Sequence, residues 1–302
     1  MNLSPGTLDG DTLRLGSKMV QLTHTDKVYF PAVGLTKGDV LAYYRAVAPY
    51  LLRHLHERPV VMERWPDGVG EGSFYQKDAP SYFPGWLRTH AVQYQRSGKT
   101  DHHPLVDDVA DLLYLVNLGT LTLHTFLSLT GDLDHPDILV IDVDPPEAAS
   151  GTAGFKQAVD TAFLLREELT ALGLEPLVKT SGKRGLHLAL PLDGSLDYQQ
   201  ARDTLAQLFD RLVARYPDLM TRDIRKAKRG DRVYLDALRM ALGATVVPAY
   251  VVRPTPTATV SMPVTWDELP GIESGVAFDI SNALERLRAI GDLWAPLAPA
   301  AP

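Results

Sequence analysis

Ile138-Leu-Val-Ile-Asp-Val-Asp-Pro-Pro146 is the stretch on which the fold turns. Four apolar residues run into Asp142 and Asp144, and two prolines stop the run. Side chains alternate faces along a strand, so both carboxylates project to one side while Val143 faces the core. Their Cα atoms then stand roughly 6.6 Å apart. Carboxylates at that spacing can converge on one hard cation, or on a pair about 3.5–4 Å apart. Like charges so close repel, and a divalent metal is the natural resolution. A strand end with two solvated acids is the competing reading, which a D-x-D pattern alone does not exclude.

Working outward, residues 155–172 carry a helical pattern closed by Gly173. Residues 177–180 and 186–190 read as two strands joined by a glycine-containing turn. Residues 197–216 read as a helix, 232–236 and 246–253 as strands, and 281–293 as a last helix. On the other side, Thr36 and Asp39 resemble a capping box opening a helix, with Pro49 inside it as a kink or break. Residues 58–65 and 73–77 read as extended segments around the Pro66-Asp67-Gly68 turn, and 106–118 as a helix. Hairpins mixed with helices, without strict βαβ alternation, predict an α+β fold. Its central sheet is largely antiparallel, with helices outside it.

A second strand, Arg232-Val-Tyr-Leu-Asp236, ends in another carboxylate. Three carboxylates from two neighbouring strands would suit two-metal phosphoryl transfer, although for this strand taken alone a charged terminus is the plainer reading. Lys179-Thr-Ser-Gly-Lys-Arg-Gly-Leu-His187 joins two strands and combines a hydroxyl, glycines, cations and a histidine. Its spacing is not that of a Walker A loop, and it reads either as a phosphate cradle or as a solubilised hairpin. Arg222, Arg225, Lys226, Lys228, Arg229 and Arg232 crowd into a single stretch of the chain. With a net charge of −7, binding of a polyanion would have to rely on such a local patch.

The composition, 45% hydrophobic and 22% charged over 302 residues, is that of a chain able to bury a substantial core. It contains no cysteine, which excludes disulfides and thiolate metal sites. Residues 1–10 lack an apolar leader, and no apolar run reaches the ~18 residues of a membrane span. A cytoplasmic protein with no membrane partner is therefore expected. One domain is expected over residues 1–293, in two parts, about 1–135 and about 136–293, the second holding the carboxylates. The Pro/Ala-rich residues 294–302 read as a tail or linker.

Taken together, the chain resembles the polymerase domain of bacterial ligase D, the end-joining polymerases of the archaeo-eukaryotic primase superfamily. The resemblance runs from about residue 22 to 269. It is carried by Thr-Asp-Lys-Val-Tyr-Phe-Pro (25–31), Gly-Leu-Thr-Lys-Gly-Asp (34–39), Glu-Arg-Trp-Pro-Asp-Gly-Val (63–69), Ser-Phe-Tyr-Gln-Lys-Asp-Ala-Pro (73–80) and Leu-Thr-Leu-His (121–124). Ile-Asp-Val-Asp-Pro (141–145), Val-Lys-Thr-Ser-Gly-Lys-Arg-Gly-Leu-His (178–187), Arg-Lys-Ala-Lys-Arg (225–229) and Val-Tyr-Leu-Asp (233–236) complete it.

The resemblance implies a primase-like catalytic core in which Asp142, Asp144 and Asp236 hold two Mn²⁺ or Mg²⁺ ions and an NTP or dNTP is the substrate. His124, Ser181, Arg184 and Arg253 match nucleotide-contacting positions, with Lys183 and His187 of the same loop placed beside them. Lys27 and Lys37 match a 5′-phosphate pocket, near Arg64. Phe74 and Tyr75 match template-stacking aromatics, and Lys77, Arg225, Lys226, Lys228 and Arg229 are expected on DNA. The implied partners are DNA ends and gapped or recessed DNA bearing a 5′-phosphate, with Ku and a DNA ligase module as protein partners. The implied activity is 3′-end extension in double-strand-break repair.

The chain departs from the family pattern at several positions. Arg184 stands for Lys, His24 for Asn, and Ala237, Met240 and Leu242 for the Tyr, Asn and Arg of Tyr-x-x-Asn-x-Arg-Gly. A metal-dependent D-x-D glycosyltransferase and a non-catalytic DNA-end binder remain the alternatives. Neither Lys27 and Lys37 nor the 222–232 patch has a role in the former.

Overall fold

The computed structural model describes residues 12–94, 98–146 and 152–299; the stretch 1–10 read above for a leader, and residues 300–302, lie outside them. The strand Ile138–Asp144 sits inside a six-stranded sheet. The strand order is Met220–Thr221, Val233–Asp236, Ile138–Asp144, Leu186–Pro191, Leu177–Thr180 and Pro263–Val264. All pairs are antiparallel except the first. Helix Thr152–Ala171 covers this sheet through Phe155, Ala158, Ala162 and Leu165. It ends as its sequence predicts, with Gly173 at φ 79° and the Leu174 N–H donating to the Leu169 carbonyl at 3.0 Å.

A second, four-stranded antiparallel sheet runs Thr245–Val246, Thr120–Phe126, Val60–Arg64, Phe74–Gln76. Its edge strand Thr245–Val246 comes from the C-terminal half, so the division near residue 135 is crossed by the chain. Both sheets, with helices Lys37–Leu55, Val109–Asn117, Tyr198–Arg215 and Ala283–Ile290, feed one apolar core. The fold is α+β with antiparallel sheets.

Three local expectations are corrected. Helix Lys37–Leu55 is not split at Pro49, because Val40, Tyr44, Val47, Leu51 and Leu55 bury a continuous face that offsets the roughly 3 kcal/mol a mid-helix proline costs. The 246–253 run keeps strand geometry only at its ends. Pro248 lacks an N–H to give to a ladder, and Tyr250 sits at φ 68°, so the buried segment between the ends leaves the sheet. Finally, residues 294–297 are not a free tail: Trp294 and Leu297 are 5% and 3% exposed and pack into the core.

Candidate active site

Backbone register brings the three carboxylates together. Asp142 lies directly opposite Asp236 on one neighbouring strand and opposite His187 on the other. Directly opposed residues share a face of the sheet, and so do residues two apart. Asp142, Asp144 and His187 line one solvent-open cleft between the two sheets, and Asp236, opposite Asp142, lies on the same face of the sheet. Gly185 makes the hairpin beside them close: a Cβ there would stand 2.3 Å from the Val143 carbonyl oxygen. Gly185 thus serves strand-to-strand approach.

Arg239 is the cation of this cluster. Its Nε donates to Asp142 Oδ2 at 3.1 Å, Nη2 stands 3.1 Å from the same oxygen, and Nε is 3.9 Å from Asp236 Oδ2. Burial opposes the charge, but Asp142, Asp236 and Asp144 outweigh it and hold the guanidinium above its ordinary pKa. Burial, then the neighbouring Asp144, pushes Asp142 up to about 7; burial likewise raises Asp144. Among the described residues no three acidic or histidine side chains close on a common point as they stand. Arg239 stands against Asp142 and Asp236 there, with its side chain about half exposed. The donor set still fits a divalent cation: hard oxygens from three carboxylates, mutually repelling, on one face of the sheet beside an open cleft.

A pH dependence follows. Unfolded, Asp142 ionises near pH 3.9; folded, near 7. Between those values the native chain holds a proton that the unfolded chain has released, so this group's contribution to stability falls as pH rises and is fully lost above about 7. In metal-free buffer Asp142→Asn is expected to decline less than wild type over this window, and Mn²⁺ at pH 7.5 to raise the wild-type melting temperature more than the variant's. Parallel melting curves for the two proteins would contradict it.

The opposite wall of the cleft carries cations. Arg253 is only 8% exposed, yet its Nε and Nη1 have no hydrogen-bond partner; burial lowers its pKa. Lys183, an exposed residue of the cleft lining, is also lowered by burial and then by Arg253. Ser181 Oγ accepts from the Lys183 and Gly185 N–H groups at 3.2 Å each. Arg184 turns back to donate to the Pro145 carbonyl at 2.6 Å, bracing the end of the Asp142–Asp144 strand. His124 faces Glu63, Nε2 to Oε2 3.0 Å, with the Tyr75 ring edge-on at 5.4 Å. Burial and Glu63 act in opposite directions on His124, and burial prevails, keeping it neutral more readily than a free histidine.

Other expected residues lie away from the carboxylates or are already engaged. Lys37 is 3% exposed and donates to the Thr23 carbonyl at 2.5 Å, whereas Lys27, more open, pairs with Asp67 at 2.5 Å. Arg64 donates twice to the Leu118 carbonyl and lies over the Phe74 ring at 5.2 Å. Phe74 and Tyr75 are exposed, at 46% and 61%. Lys77 lies over the Tyr94 ring at 5.3 Å. Arg225, Lys226 and Lys228 are exposed, but Arg229 stacks on Tyr234 at 3.6 Å and bonds its own loop. His24 sits at φ 52°, a region that Asn and His both tolerate, which accounts for the exchange there. Ala237 and Met240 are buried in the core, so their apolar character suits their place.

Three site residues escape the sequence reading. Glu63 is signalled by strand alternation opposite Arg64. Arg239 lies three residues after Asp236, in a 3-10 turn that Asp236 Oδ1 caps by accepting from the Leu238 N–H at 2.8 Å. Lys179 carries no local signal of its burial.

Residues 36–294 match the model of the LigD primase-polymerase domain. The chain belongs to this family. It is 34% identical over 286 residues to the Multifunctional non-homologous end joining protein LigD of Mycolicibacterium smegmatis, covering 94% of this chain and 36% of that protein. It is 30% identical over 273 residues to the Bifunctional non-homologous end joining protein LigD of Bacillus subtilis, covering 90% and 43%. The chain thus spans about two-fifths of these relatives' length. A solved polymerase domain from Mycobacterium tuberculosis Ligase D in complex with DNA superposes with a TM-score of 0.85 at 30% identity, covering 94% of this chain and 99% of that one.

Proposed function

We propose that the chain is a metal-dependent nucleotidyltransferase that extends DNA 3′ ends, filling gaps during end joining. The observation that carries this is the face shared by Asp142, Asp144 and Asp236, set across a cleft from an unpartnered buried guanidinium, Arg253. Family membership and the likeness to a DNA-complexed polymerase domain support it.

The three carboxylates would hold Mn²⁺ or Mg²⁺, which supplies Lewis-acid charge to the reacting oxygens and phosphate. The chain's own residues bind and orient. Arg253, Lys183 and Arg184 are the cations available to a triphosphate, and Ser181 retains its hydroxyl proton for a phosphate oxygen. His124, held by Glu63, and His187 close the cleft on the nucleotide side. Attack of the primer 3′-oxygen on the α-phosphorus forms one P–O bond as the bond to the β-phosphate's bridging oxygen breaks, releasing pyrophosphate. Phe74 and Tyr75 offer exposed rings to unpaired template bases. Arg225, Lys226 and Lys228 supply the local positive patch for the DNA backbone, where a chain of net charge −7 needs one. Ku and a ligase module would be its partners, in the cytoplasm at the nucleoid; among the described residues no helix is long and apolar enough to cross a membrane.

The test is extension of labelled gapped or recessed DNA with NTPs or dNTPs and Mn²⁺. DNA bound but never extended makes the chain an end binder and overturns the reading. The 5′-phosphate pocket is testable separately. Lys27 is the accessible cation there and Lys37 the buried one, so Lys27→Ala should reduce the preference for 5′-phosphorylated over 5′-hydroxyl gaps several-fold while extension of simple primers persists. An equal loss on both substrates assigns Lys27 elsewhere.

A further inference from the structure

Behind the carboxylates lies a buried lysine that the nucleotidyl-transfer reading does not use. Lys179 is 1% exposed. Its Nζ is 2.8 Å from His187 Nδ1, bonds Ser261 Oγ, and lies over the Trp294 ring at 5.8 Å. Ser261 Oγ donates its own proton to the Thr180 carbonyl at 3.2 Å, so in the Lys179–Ser261 bond the lysine is the donor. On the other side of the imidazole, His187 Nε2 stands 3.6 Å from Asp142 Oδ1. The remaining carboxylate oxygen, Oδ2, faces Arg239.

With Lys179 as an ammonium, donors and acceptors along this line leave one consistent arrangement. The ammonium only donates, so Nδ1, 2.8 Å away, is a lone pair and the proton of a neutral His187 belongs on Nε2. The Asp142 carboxylate, at 3.6 Å, stands too far from Nε2 to fix the tautomer by itself. Reversing the tautomer would set the Nε2 lone pair against a carboxylate oxygen and an N–H against the lysine.

We infer that Lys179 is a positioning residue: by donating to Nδ1 it locks His187 as the Nε2–H tautomer, which orients Asp142 Oδ1 for the cation. Trp294 completes the device by covering Lys179 from the far side, so the C-terminal segment that reads as a Pro/Ala tail seals the back of the site. Partners that orient a metal-ligating group from behind typically affect metal affinity about 10–100-fold. The purpose of the lysine rests on the proposed function, but the tautomer does not.

Two measurements test this on the intact chain. With histidine rings labelled with ¹⁵N, long-range ¹H–¹⁵N correlation reports the His187 tautomer, its signals assigned by their loss in His187→Gln. Free Mn²⁺ measured by electron paramagnetic resonance gives metal affinity. Wild type is expected to show Nε2–H. Lys179→Met, which keeps the stem and loses the donor, is expected to shift His187 towards Nδ1–H and weaken Mn²⁺ binding on the order of 10-fold. An Nδ1–H tautomer in wild type overturns the inference whether or not the variant folds. So does a folded Lys179→Met with the wild-type tautomer and Mn²⁺ affinity. Nε2–H in a protein that never extends DNA sinks the polymerase reading and leaves the tautomer standing.

Discussion

Asp142→Ala is expected to abolish primer extension while leaving a folded protein. Asp142 faces both neighbouring strands, with Asp236 opposite on one and His187 on the other, and Asp144 two residues on. Removing it takes away the carboxylate common to all of these contacts. Lewis-acid stabilisation of several kcal/mol is at stake, which corresponds to a loss on the order of 10³-fold or more in kcat/KM. The fold should tolerate the change, because the side chain is a crowded buried acid and contributes little to packing. Thermal stability in metal-free buffer at pH 7.5 should therefore hold or rise, since an acid whose pKa has been pushed up to about 7 is costly to ionise there. Mn²⁺ should no longer stabilise the variant. Measuring extension, melting temperature and the Mn²⁺ response together separates a missing ligand from a missing fold. If Asp142→Ala extends gapped DNA within tenfold of wild type, the carboxylate cluster is not the catalytic centre.

What can be read from the chain alone depends on how local the physics is. Asp142 and Asp144 are legible because a period of two is a property of one strand. The Thr36–Asp39 capping box is legible because it closes within one helical turn, and the Asp39 N–H does donate to Thr36 Oγ1 at 3.2 Å. That Asp236 lies opposite Asp142 is a matter of strand register, which no local pattern states. Lys179 shows the same limit in reverse: in a stretch with Lys183 and Arg184 it looks like one more solvated cation, and only the packing of Ser261 and Trp294, far along the chain, makes it the buried one. Lys37 is a milder case, drawn inward by the Thr23 carbonyl. Arg239 is unmarked because the family pattern places its arginine at position 242, where this chain has Leu242. The guanidinium that reaches the carboxylates arrives from three residues earlier, through a 3-10 turn. The Pro/Ala composition after residue 293 hides Trp294 and Leu297, two large apolar side chains whose burial depends on where the core happens to be open.

Arg253→Met should move activity and stability in opposite directions. The guanidinium is 8% exposed with Nε and Nη1 unpaired, an arrangement that folding alone does not favour. Each buried donor left without a partner costs about 1–3 kcal/mol, and the low-dielectric surroundings already hold the Arg253 pKa down. Methionine keeps most of the apolar stem and removes the charge, so the variant should be more stable by about 1–3 kcal/mol, seen as a higher urea midpoint at unchanged slope. If the donors wait for phosphate oxygens, the same change removes charge-assisted hydrogen bonds from the bound nucleotide. The resulting loss in kcat/KM for NTP should be on the order of 10²-fold, mostly through KM. Saturating nucleotide with Mn²⁺ should then raise the melting temperature of wild type and barely that of the variant. Less stability together with intact NTP affinity would mean that Arg253 is a packing residue whose polar atoms find their partners within the fold, and the cleft would lose the buried cation poised for the triphosphate.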